Sequence, residues 1–152
     1  MSKLIKTIIA AVAAGMLITA AATEREAVLG FGGVFFKAEN PAELAKWYED
    51  HLGVKQTPKT YEEQPWVQAG GSTVFGVFNS KTKYFGTDDQ QFMFNFRVRD
   101  LDAMVAQLRK AGIEVKVDPE THPNGRFARL ADPEGNPIQL WQEMTPEQAT
   151  NQ

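Results

Sequence analysis

The sequence predicts an α+β domain built from two similar halves, and three observations carry that expectation. The order strand, helix, strand, strand, strand is readable twice along the chain, with helix starts at Asn40 and Asp100, sixty positions apart. Each helix segment carries one apolar stripe at helical spacing. Two strand-like runs then flank a turn, Asp132-Pro133-Glu134-Gly135-Asn136, near the end of the chain. Each unit of this kind would leave one apolar sheet face uncovered by its helix, so pairing the two modules buries both.

The first half opens on Val28 to Lys37, rich in Val and Phe, with Gly32-Gly33 inside it. Glycines within a strand mark a bulge or a close approach. Asn40-Pro41-Ala42-Glu43 has the form of a helix start, with Asn40 as N-cap, Pro41 in the first turn and Glu43 as capping-box partner. Leu44, Trp47, Tyr48, His51 and Leu52 share the helix face, and Gly53 suits its end. Short strands are expected over Val54 to Tyr61, Trp66 to Ala69 and Ser72 to Asn79, and Ser80 to Asp89 reads as a polar linker.

The second half repeats the order. Phe92, Phe94, Phe96 and Val98 alternate with Met93, Asn95, Arg97 and Arg99, which is strand periodicity. Asp100 caps a helix with Leu101, Met104, Val105 and Leu108 on its apolar face, ending at Gly112. Ile113 to Val117 alternates as a strand, and a loop with Pro119, His122 and Pro123 leads to the final hairpin. In that hairpin Asp and Pro favour the turn and Gly tolerates positive φ. Its last strand puts Ile138 and Leu140 on one face and Gln139 and Trp141 on the other.

The N-terminus differs in kind. Lys3 and Lys6 precede an uncharged stretch, Thr7 to Ala22, ending Ala20-Ala21-Ala22. A basic start, a short apolar run and an A-x-A end predict an export signal over residues 1–22, with a connector at 23–28. The segment is shorter than the roughly 20 residues that usually span a bilayer. Export gives a periplasmic or secreted protein with no stable membrane span; an uncleaved segment would anchor it. Cleavage would leave 130 of the 152 residues, enough for one domain at 29–143, with modules at about 29–80 and 90–143 and a polar tail at 144–152. The chain has no cysteine, which rules out disulfides and thiol chemistry. A net charge of −3 with scattered Lys and Arg argues against a nucleic-acid surface.

The segments NPAELAKWYEDHLGV, NFRVRDLDAMVAQLRKAGIEV and GRFARLADPEGNPIQLW, in that order, resemble the vicinal oxygen chelate superfamily of glyoxalases, extradiol dioxygenases and bleomycin-resistance proteins. The likeness runs from about Leu29 to Glu143. It implies two paired βαβββ modules forming an open mixed-sheet barrel around a cavity, often in a homodimer. Metal-binding members place a His or Glu on the first strand of each module and a carboxylate on the last. The matching positions here are Gly33, Met93, Gln139, and Phe75 or Gly76. Glycine cannot ligate, a thioether is too soft for hard ions, and Gln offers one neutral oxygen. No metal or other cofactor is therefore expected, and a divalent ion would need ligands from outside the family pattern, such as His122 and Glu143.

The cavity-facing parity that this likeness implies contains Gly33, Phe35 and Lys37, then Met93, Asn95 and Arg97, then Gln139, Trp141 and Glu143. An apolar lining with a few convergent polar groups suits a small organic ligand. Phe35, Met93 and Trp141 would pack against it. Arg97 would hold a carboxylate or phosphate, Asn95 and Gln139 would orient polar groups, and Glu143 would reach the cavity from the strand end. Packing core for the apolar members, and an Arg97–Glu143 pair, is the simpler alternative. Three functions follow. The first is ligand binding without a metal. The second is a lyase, isomerase or dioxygenase-like enzyme with displaced ligands or a carboxylate base, whose catalytic residues the sequence does not single out. The third is an interaction module.

Overall fold

Apolar residues recurring every three or four positions fold two helices against one face of a single open sheet. The computed structural model describes residues 28–144; the expected export signal, most of the connector and the polar tail beyond Met144 lie outside the described residues. The elements run α1 (Pro41–Leu52), β1 (Phe94–Arg97), α2 (Leu101–Lys110), β2 (Lys116–Val117), β3 (Gly125–Ala131) and β4 (Pro137–Glu143). The sheet order is β1-β4-β3-β2, with β1 parallel to β4 and the other two pairings antiparallel. The class is α+β, and the mixed sheet stays open.

Register sorts the side chains into two layers. Phe94 pairs with Ile138, Phe96 with Leu140, and Ala128 with Leu140. These residues face the helices. Leu101, Leu108, Ile138, Leu140 and Ala128 are fully buried there, beside Leu44, Tyr48, Val105, Val115 and Leu130. Burying each Leu or Ile side chain contributes about 1.5–3 kcal/mol. The opposite layer holds Asn95, Arg97, Gln139, Trp141, Phe127, Arg129 and Lys116.

The two helices begin differently. Asp100 accepts the Ala103 N–H at 3.0 Å, as its position predicted. Asn40 makes no side-chain cap, and the expected capping box with Glu43 does not form. Glu134, from the turn after β3, takes over: its two carboxylate oxygens accept the backbone N–H groups of Glu39 at 2.9 Å and Asn40 at 2.8 Å.

The strands expected over Val28 to Lys37, Val54 to Tyr61, Trp66 to Ala69 and Ser72 to Asn79 form no ladder among the described residues. Pro58 lacks a donor, Gly32-Gly33, Gly70-Gly71 and Gly76 weaken strand interiors, and an unpaired strand gains nothing over extended coil. Val67, Val74 and Val77 accordingly remain largely exposed. In the second half, β1 and β2 are shorter than expected. Chain contacts also divide the molecule after Phe35, so the short described stretch 28–35 belongs to a separate unit.

Candidate functional site

The sheet layer that faces away from the helices carries most of the residues expected to meet a ligand. At its centre Gln139, 6% exposed, is held from both sides. Asn95 Nδ2 donates to Gln139 Oε1 at 2.7 Å, and Gln139 Nε2 donates to the Tyr84 hydroxyl at 3.1 Å. Position 95 pairs with 139 across β1 and β4, so the ladder itself sets this contact.

Next to it, Trp141 pairs with Phe127 across β4 and β3. Their rings lie 6.3 Å apart at an interplanar angle of 10°, an offset-stacked arrangement. The Trp141 indole N–H donates to the Asn124 carbonyl at 2.7 Å. Gly125 makes this possible: its φ is 135°, and a Cβ there would lie 2.2 Å from the Gln142 carbonyl oxygen and 2.7 Å from Trp141 Nε1. Only glycine tolerates both the conformation and the approach.

A cavity of about 620 Å³ opens over this layer, lined by Tyr84, Lys116, His122, Phe127, Arg129 and Gln139 among others. Its volume lies in the range of small-molecule pockets. The Arg129 guanidinium sits 4.3 Å from the Tyr84 ring centroid, and its Nη1 donates to the Tyr84 carbonyl at 2.6 Å. Tyr84 also stacks on Phe78 at 5.1 Å. His122 Nε2 lies 3.2 Å from Asp118 Oδ2. The Glu120 backbone N–H, first, and the His122 side chain, second, hold the Asp118 carboxyl below its usual range.

The expected site residues divide. Asn95, Gln139 and Trp141 meet in one layer, and Gln139 reaches the cavity itself. Arg97 donates to the carbonyls of Ala69 at 2.7 Å and Gly70 at 3.0 Å. Its guanidinium occupies the space a Cβ on Gly71 would need, 1.6 Å from Nη1. The simpler Arg97–Glu143 pair is not what forms, because Glu143 instead accepts the Ser72 hydroxyl at 2.6 Å. Met93 is half-buried just before β1, and Phe35, 94% exposed, lies in the separate N-terminal unit.

Sequence reasoning did not single out Tyr84, Phe127, Arg129 or Lys116. Tyr84-Phe85 was the available signal, an aromatic pair inside an otherwise polar linker. Among the described residues no three His, Asp or Glu side chains converge on a point where a metal ion would sit.

No curated protein matches the chain. A glyoxalase/bleomycin resistance protein from Streptomyces sp. CB03234 is 37% identical over 35% of this chain, spanning 46% of its own length, less than half, at a TM-score of 0.31. A putative glyoxalase family protein from Bacillus anthracis is 25% identical over 67% of this chain and 84% of its own, at a TM-score of 0.44. TnmS3, an antibiotic binding protein from Streptomyces sp. CB03234, is 25% identical over 68% of this chain and 87% of its own, at a TM-score of 0.43. The sequence model of the glyoxalase-like domain matches residues 33–141, most of the chain. This protein belongs to the glyoxalase-like domain family, within the vicinal oxygen chelate superfamily.

Proposed function

We propose that this protein is an exported, metal-free member of its family that binds a small planar organic molecule in the cavity over β2, β3 and β4. The observation that carries this reading is Gln139. It stands where the family likeness puts a metal-holding carboxylate, and its one ligating atom, Oε1, already accepts a hydrogen bond from Asn95. A neutral amide oxygen so engaged is a poor cation ligand. Beside Gln139, Phe127 (braced by Trp141), Val117 and Ala128 give the cavity an apolar side with a polar edge, which suits an aromatic ring bearing a polar group.

A thermal-shift and native mass-spectrometry screen with a diverse compound set tests the reading. Wild type should be stabilised by aromatic compounds, and Phe127→Ala should lose that stabilisation. No stabilising compound, or equal shifts in the variant, contradicts it. Elemental analysis of protein purified without chelator should find less than stoichiometric zinc, nickel, manganese and iron. Export predicts a mature chain beginning at Thr23 when the protein is recovered from its native compartment. The reading includes a homodimer, supported by the exposed Val67, Val74 and Val77; sedimentation equilibrium distinguishes it from a monomer.

A second reading, acid–base catalysis without a cofactor, is favoured by the His122–Asp118 contact at the cavity wall. It requires turnover of a bound compound that His122→Asn abolishes.

A further inference from the structure

Lys116 and Arg129 stand directly opposite one another in the antiparallel β2–β3 ladder, and both line the cavity. Residues so paired project from the same face with Cβ atoms about 5 Å apart, and like charges placed there repel. The chain has 19 acidic residues against 16 basic ones, yet among the described residues the Lys116 ammonium has no ion-pair or hydrogen-bond partner. Arg129 uses one nitrogen, Nη1, on the Tyr84 carbonyl, and the rest of its guanidinium edge has no acceptor among the described residues. The Tyr84 hydroxyl accepts from Gln139, which leaves its own proton to donate. Asp118, the single acid among the described lining residues, is engaged by His122 and also feels the Arg129 charge, so it offsets one of the two cations.

Counting charges with His122 neutral, Lys116 and Arg129 exceed Asp118 by one positive charge. A wall with one surplus cation and three donors lacking an acceptor, beside the Phe127 ring, is matched by an organic monoanion. We propose that the cavity selects aromatic carboxylates, with the carboxylate taken by Lys116 Nζ, the Arg129 edge and the Tyr84 hydroxyl, and the ring against Phe127. This rests on the small-molecule reading above and deepens it. It also moves the anion-holding role away from Arg97, whose donors are occupied by Ala69 and Gly70.

The test is calorimetric titration of the purified protein with 2-naphthoate and with 2-naphthamide, its neutral counterpart. Wild type should bind the carboxylate at least about tenfold more tightly, because charge-assisted hydrogen bonds exceed neutral ones. Lys116 is exposed, so Lys116→Met should fold normally and lose that preference, weakening the carboxylate more than the amide. Arg129→Gln should act in the same direction. Raising sodium chloride should weaken the carboxylate and spare the amide. Equal affinities in wild type, an unaltered preference in Lys116→Met, or no binding of naphthoate each overturns the inference. If neutral aromatic compounds still bind with dependence on Phe127, only the anion selectivity falls; if no compound binds, the small-molecule reading falls with it.

Discussion

The Tyr48 hydroxyl donates to Asp132 Oδ2 at 2.8 Å, joining the middle of α1 to the turn between β3 and β4. Both residues are buried, at 6% and 5% exposure. Asp132 Oδ1 accepts the backbone N–H groups of Glu134 and Asn136, and Oδ2 also accepts the Asn136 side chain. One carboxylate therefore shapes the hairpin and fastens it to the helix layer, which fixes the sheet carrying the cavity.

Removing that carboxylate orphans several donors at once. Asp132→Ala should destabilise the fold by about 3 kcal/mol, and Tyr48→Phe by about 1–2 kcal/mol, since the turn bonds remain. Urea unfolding of the two variants checks the order; a Tyr48→Phe loss equal to that of Asp132→Ala contradicts it.

The same pair predicts a pH dependence. Burial first, then the Asp132 hydrogen bond and charge, push the Tyr48 hydroxyl far above its ordinary value of 10.0. The folded state keeps this proton where the unfolded state releases it, so the contribution is full below about pH 10 and declines as pH rises above it. Wild type should lose stability more steeply than Tyr48→Phe above pH 10 in matched unfolding curves. Parallel curves contradict the assignment.

Glu134 supplies the start of α1 with the acceptors that Asn40 does not. Glu134→Ala should cost about 1 kcal/mol and fray the first turn of α1. Hydrogen exchange at Glu39 and Asn40 should rise above wild type. Unchanged protection would show that the contact is not what holds the turn.

Gly125 lets the Trp141 indole lie against the backbone. Gly125→Ala should cost at least about 2 kcal/mol through strained φ and displaced contacts. Near-ultraviolet circular dichroism should lose the Trp141 signal, and an unchanged spectrum and stability would contradict the role of Gly125.

How much of this was readable beforehand depends on how local the signal is. Helices α1 and α2 declared themselves through Leu44, Tyr48, Leu101, Val105 and Leu108, because helical periodicity is written within a dozen residues. The parity of Ile138, Gln139, Leu140 and Trp141 was equally local, and so was the turn at Asp132 to Asn136. Glu134 accepting N–H groups 94 and 95 positions away, just ahead of α1, leaves no local trace. Tyr84 and Arg129 meet across 45 positions, so neither stood out alone, and Lys116 became informative only once the register set it opposite Arg129. Over Val54 to Asn79 the alternation predicted strands, but a strand requires a partner, and periodicity does not say whether one is there.

Ligand entry into the cavity over Gln139 is the step on which the proposed function depends. Chemical-shift mapping of isotope-labelled protein with an aromatic compound from the screen tests it most directly. Perturbations should concentrate at Tyr84, His122, Phe127, Arg129, Gln139 and the Trp141 indole N–H, with α1 and α2 unmoved. Saturable perturbations confined to other surfaces, with those resonances unchanged, would contradict it.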